Sequence, residues 1–155
     1  MSFRIAGLDP TLFEHLYGLS DAELCRAGVF RCVADQSPGF PDRISLEDVS
    51  PGEHLLLLNY QHQPAQTPYQ ASHAIFIKEG AQQRYDQTDA VPASLRARLL
   101  SVRGFDNQGM MIDADVVEGP QLERLIYQLF MNPAVDYLHV HYARRGCYAA
   151  RVDRT

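Results

Sequence analysis

The sequence predicts a single α+β domain over residues 1–155, with a mainly antiparallel sheet of about six to seven strands and about three helices. Short β-patterned runs recur along the whole chain between turns rich in Gly, Pro and Asn. Helical start and stop signals are few, and only the segment 119–133 carries a long apolar stripe. The third observation is bulk: 46% apolar and 21% charged residues in 155 positions fit one domain with an ordinary core.

Phe3 to Leu8 reads as a short strand. Asp9 then offers an N-cap with Pro10 at the first helical position, and Leu12, Phe13, Leu16 and Tyr17 make one stripe before Gly18. Ser20-Asp21-Ala22-Glu23 has the spacing of a capping box, with Leu19 able to staple onto Leu24, and Gly28 closes that helix. Val29 to Ala34 is a strand. Ser37-Pro38-Gly39-Phe40-Pro41 is a rigid turn, followed by a short strand at Arg43 to Leu46.

His54 to Tyr60 alternates little, so both faces of this strand are expected to be covered. Gln61 to Ser72 is a polar, proline-bearing loop, and His73 to Lys78 is the next strand. A polar stretch leads to a helical turn at Pro92-Ala93-Ser94. Arg96 to Arg103 and Met110 to Val117 form strands around a Gly-bearing turn. The clearest helix starts at Gly119-Pro120, carries Leu122, Leu125, Ile126, Leu129 and Phe130, and stops at Asn132-Pro133. Strands at 137–142 and 147–153 close the chain.

Net charge is −5, which argues against a nucleic-acid partner held by a broad basic face. The longest apolar run, Leu55 to Leu58, is far short of a membrane span. Cys25, Cys32 and Cys147 are odd in number and contain no CxxC, and the N-terminus has no signal-peptide core. A cytoplasmic location is expected.

Chemistry concentrates in the last hairpin. His139 and His141 project from one face of a strand, about 7 Å apart. Neutral imidazoles at that spacing can chelate a divalent metal, provided a third ligand joins them. His62, Asp113 and Asp115 are candidates, and His73, at the head of its strand, completes the expected set. The same alternation, with Leu138 and Val140 pointing away, also fits a half-exposed edge strand with a polar outer face. Cys147 follows Arg144-Arg145, a cationic setting that favours a nucleophilic thiolate, although most cysteines are small core residues. Arg43, mounted on the proline-rich turn, and Arg144 or Arg145 suit bidentate capture of a carboxylate or phosphate. Tyr60, His62, Tyr69 and His73 border or occupy the long loop, the kind of segment that often forms a binding wall.

Several short motifs occur together: Pro38-Gly39-Phe40-Pro41-x-Arg43, Gly52-Glu53-x-Leu55-Leu56-Leu57-Leu58-x-Tyr60, Pro68-Tyr69 followed by Ile75-Phe76-Ile77, and Gly146-Cys147-Tyr148-x-x-Arg151-Val152-x-Arg154. From Phe3 to Arg154 the chain resembles a bacterial family catalogued as domain of unknown function 1203. The resemblance brings no activity, but it implies a shared site near Arg43, Tyr69 and Cys147. Asp42 stands where members often carry a cysteine, and Ser72-His73-Ala74 stands where a Gly-Pro is usual.

The expected function is an enzyme-like domain acting on or binding a polar or anionic small molecule. Its pocket is expected between the 61–73 loop and the 137–148 hairpin. His139, His141 and Cys147 would act chemically, Arg43, Tyr60, His62, Tyr69, His73, Arg144 and Arg145 would bind, and His139, His141 and His73 would hold a metal. The alternatives are a non-catalytic ligand- or metal-binding module, and an interaction domain pairing through an exposed 55–60 or 137–142 strand.

Overall fold

The computed structural model describes residues 1–155. Its nine strands are β1 (Phe3–Ala6), β2 (Phe30–Val33), β3 (His54–Gln63), β4 (Ala71–Lys78), β5 (Asp86–Thr88), β6 (Leu99–Phe105), β7 (Met111–Glu118), β8 (Tyr137–Tyr142) and β9 (Tyr148–Arg154). Six of them form an antiparallel sheet in the order β5-β1-β9-β8-β6-β7, and three form a second sheet in the order β2-β3-β4. Three α-helices accompany them: α1 (Asp21–Arg26), α2 (Ala93–Arg96) and α3 (Leu122–Phe130). No helix is long and apolar enough to cross a membrane.

One face of the large sheet packs on α3. Leu122, Leu125, Ile126, Leu129 and Phe130 are all buried, meeting Leu100, Val102, Leu138, Val140 and Val152 in the main core. The opposite face meets the small sheet through a second core, in which Leu56 and Leu58 of β3 and Ile75 and Ile77 of β4 lie with Ile44 and Tyr148. Each such buried aliphatic side chain contributes about 1.5–3 kcal/mol. β8 runs through the middle of this layering, and all six of its residues are buried. It is therefore no edge strand, and neither is β3. The edges are β5 and β7 in one sheet and β2 and β4 in the other, so edge pairing through 55–60 or 137–142 has no structural basis.

Where the structure departs from the sequence reading, local hydrogen bonding is the reason. Asp9 caps its helix as expected, accepting from Thr11 N, but the segment forms two 3-10 turns. Phe13, at φ −124°, interrupts them and points into the second core. The expected strand at Arg43 to Leu46 is a turn. The Asp42 carboxylate accepts from Ile44 N and Ser45 N, which bends the backbone back on itself. β3 reaches Gln63 and β4 begins at Ala71, so the connecting loop is shorter than the 61–72 segment the sequence suggests. The polar stretch before α2 contributes β5 to the edge of the large sheet.

Gly7 places the Arg43 segment against the end of β1. A Cβ there would stand 2.0 Å from the Ile44 carbonyl oxygen and 3.0 Å from that of Arg43, both backbone atoms that cannot rotate aside. Leu8 N, next in sequence, donates to Arg43 O at 2.8 Å. Gly7→Ala is therefore expected to destabilise the protein by about 3 kcal/mol or more. Gly18→Ala, where a Cβ meets nothing, should cost only about 1 kcal/mol, for its positive φ. Urea denaturation of the two variants measures the difference.

Candidate functional site

Strand pairing brings three histidines together in the layer between the sheets. His139 and His141 share a face of β8 with Tyr137, and His62 reaches them from β3. Each of the three presents a ring nitrogen within 4.8 Å of the other two. The ring centroids of His62 and His141 are 4.9 Å apart, those of His62 and His139 6.1 Å. Tyr148 stacks on His62 with ring planes 6° apart and meets both other imidazoles edge-on. Phe105 and Tyr137 close the far side of His139.

Two β-bulges flank this meeting. Between Tyr60 and Gln63 the pairing with β4 slips by one residue. His62 and Gln63 are then both buried, and the Gln63 amide donates to the Tyr137 hydroxyl at 2.9 Å. Between Val140 and His141 the pairing with β9 also slips, which sets Tyr148 opposite His141. Of the ring nitrogens, His62 Nδ1, His139 Nδ1 and His141 Nε2 are buried without a hydrogen-bond partner. Each such atom costs about 1–3 kcal/mol. His141 Nδ1 is the satisfied one, 2.9 Å from the Gly146 carbonyl to which it donates.

Burial holds all three imidazoles neutral. Desolvation is the largest cause in each, lowering His62 to about 4, His141 to about 3 and His139 to about 2. The positive field of Arg103 acts in the same direction on all three. Arg103 lies opposite His139 on β6, and burial lowers its own affinity for a proton.

A second feature opens on the other side of β8. Tyr142 points away from the histidines and packs with Cys147 in the α3-side core. Both line a cavity of about 500 Å³ between the 38–43 turn, residues 97–99 and the turn after β8. Arg43, Arg98, Arg144 and Arg145 line it against the single acid Glu118. Arg98 is paired with Asp48, at 2.5 Å. Arg43 is 1% exposed and meets no carboxylate: Nε donates to Tyr148 O at 2.7 Å, Nη1 to Pro41 O, and Nη2 to Cys147 Sγ at 3.1 Å. The guanidinium carbons of Arg43 and Arg98 lie 4.9 and 5.1 Å from the centre of the Tyr142 ring.

The sequence-derived residues thus fall into two groups. His139 and His141 meet His62, while His73 sits opposite Tyr60 at the rim, its Nδ1 donating to Ala74 O, outside the three-histidine group. The sequence pattern ends the strand at Tyr60 and leaves His62 in a loop, whereas β3 runs on to Gln63 and carries His62 on the face it shares with Leu56, Leu58 and Tyr60. Arg43, Arg144, Arg145 and Cys147 come together in the cavity, but no residue of the 61–73 segment lines it. Cys147 meets a guanidinium, and His141 on the other face of β8 is bonded to Gly146. Tyr60 packs between Phe13 and Tyr148, and Tyr69 is exposed on the 64–70 turn. Asp42 accepts four hydrogen bonds, from Ile44, Lys78 and twice from Ser45. Arg98, Arg103 and Tyr142 carried no sequence signal beyond their place in strand-like runs.

The buried histidines fix a pH dependence for metal-free protein. The unfolded chain binds a proton at each near pH 6.5, and the folded chain only near pH 4 or below. Their contribution is complete above about pH 6.5 and is lost as pH falls toward 4, at about 1.4 kcal/mol per pH unit for each histidine. His139→Gln, which cannot titrate, should flatten the fall in urea midpoint between pH 7 and 5. Parallel profiles for wild type and variant would show that His139 is not held neutral in the fold.

No curated protein and no solved structure matches this chain. The family model described as "Protein of unknown function (DUF1203)" matches residues 39–154. That span contains all three histidines of the group, together with Arg43, Arg98, Arg103, Arg144, Arg145 and Cys147. The chain belongs to the DUF1203 family.

Proposed function

We propose that this protein binds a small anionic molecule, through its carboxylate or phosphate group, in the cavity between the 38–43 turn and the 142–147 turn. The observation that carries the reading is Arg43, a buried guanidinium with no acid partner on the wall of that cavity. A charge removed from water is stabilised by a counter-charge, and the chain supplies none to Arg43. A guanidinium has five N–H donors, and only three atoms of the protein accept from this one.

The surroundings favour the same ligand class. Arg144 and Arg145 are exposed at the mouth, where they can reach toward an arriving anion. Arg98 spends both Nη groups on Asp48, so it adds a fixed, paired guanidinium over the Tyr142 ring rather than a free donor. Tyr142 contributes an aromatic wall and a buried hydroxyl that lacks a partner. A volume of about 500 Å³ suits a small metabolite. Cys147 Sγ, beside Arg43, is the one thiol within reach of such a ligand, so it is the group available for chemistry on it.

Thermal unfolding with inorganic phosphate and with small di- and tricarboxylates tests this reading. A specific ligand at a hundredfold excess over its Kd stabilises by about 2.7 kcal/mol. For a chain of this size that raises Tm on the order of 5–10 °C. Arg144→Glu/Arg145→Glu should abolish the response, and Arg124→Glu, on the exposed face of α3, should leave it intact. An equal response in all three proteins would place anion binding elsewhere and overturn the proposal.

A further inference from the structure

The anion cavity leaves the histidine group unaccounted for. His62, His139 and His141 are 9%, 3% and 1% exposed, each has one buried ring nitrogen without a hydrogen-bond partner, and each presents a ring nitrogen within 4.8 Å of the other two. We propose that His62, His139 and His141 bind a single divalent transition-metal ion of the zinc class.

The donor set selects the ion. Three imidazoles with no carboxylate and no thiolate do not suit calcium or magnesium, which take oxygen ligands. Imidazole suits zinc, copper, nickel and iron. His141 already makes the outer contact that a ligand histidine needs: Nδ1–H donates to the Gly146 carbonyl, which fixes the tautomer and leaves the Nε2 lone pair free. Burial keeps all three rings neutral near pH 7, so protons do not compete with the ion. Nitrogens around a tetrahedral ion with bonds of about 2.0–2.1 Å stand about 3.3 Å apart. The group, now within 4.8 Å, closes on the ion by side-chain rotations of about 1.5 Å or less.

Three protein ligands leave a tetrahedral ion one position for water or an exogenous group. Arg103 and Arg151 are the charged side chains whose fields reach His139 from β6 and β9. Arg151 is paired with Asp153, while Arg103 meets only the Ser101 hydroxyl, at 3.4 Å. An unpaired guanidinium beside the ion favours an anion, hydroxide or carboxylate, in that fourth position.

Untagged protein, stripped with a chelator and returned to near-neutral pH, tests the site by titration. Calorimetry with zinc should give one ion per chain, and cobalt(II) should give the visible bands of tetrahedral coordination. His62→Ala and His139→Ala should each weaken binding by about 100-fold or more, beyond the 10–100-fold typical of losing an outer partner. His73→Ala and His54→Ala should not change it. Imidazole resonances of the wild-type protein provide a readout that survives any misfolding of a variant. Zinc should shift those of His62, His139 and His141, leaving His15 and His54 in place. Absence of binding, binding that survives His62→Ala, or a loss in His73→Ala as large as in His62→Ala would overturn the proposal.

Discussion

Arg43 lies where the two cores adjoin, and the segment that carries it is bonded in every direction. Its backbone N–H donates to Phe76 O on β4, its carbonyl accepts from Leu8 N after β1, and its guanidinium donates to Tyr148 O on β9. Asp42, just before it, binds Lys78 N on β4. One short turn therefore joins the small sheet to the large one by hydrogen bonds that apolar packing alone would not specify. The arrangement has an electrostatic consequence. A positive charge is held in the interior, beside a thiol and an aromatic ring, with no carboxylate to neutralise it. Structural need explains why the side chain is buried; it does not explain why it remains unpaired.

The β8–β9 hairpin distributes chemistry to both faces of the large sheet. Alternation sends His139 and His141 toward the small sheet and Tyr142 toward the arginine cavity. The turn after β8 is tied to both. Gly146 O receives His141 Nδ1–H, and Cys147, the next residue, receives Arg43 Nη2. The same turn carries Arg144 and Arg145, so a single hydrogen bond links His141 to the segment that holds them. The two sites are separate in space but share this hydrogen-bonded turn.

What the sequence made legible follows from periodicity. The stripe of α3, the Ser20 N-cap of α1 and the alternation of β8 each rest on one element alone, and each appears in the structure, although Glu23 does not return the reciprocal bond of a full capping box. The pairing of His139 with His141 needs only a period of two. Their third partner needs the full length of β3 and a second sheet, neither of which the β8 strand encodes. His73 looked better than His62 because it heads a strand, yet β3 extends past Tyr60 and its alternation turns His62 inward. The arginines divide in the same way. Arg144 and Arg145 stand out as a cluster, whereas Arg98 joins them only through the fold. The reading of β8 as a half-exposed strand failed for a related reason: a polar face in sequence cannot reveal a second sheet lying over it.

That buried polar face is the strongest physical argument that the histidines have a ligand. Evolution of a stable layer between two sheets would fill these positions with aliphatic or aromatic residues, as it does at Leu56, Leu58 and Ile75 a few ångströms along the same interface. Imidazoles at three neighbouring positions, each with an unanswered nitrogen, weaken that interface and make it acid-sensitive. Tyr148, stacked on one ring and set edge-on to two, orients them without satisfying them. Packing alone gives no reason to keep such a group. A bound ion would engage a nitrogen of each ring at once, and stability lost in the metal-free chain would be recovered on binding.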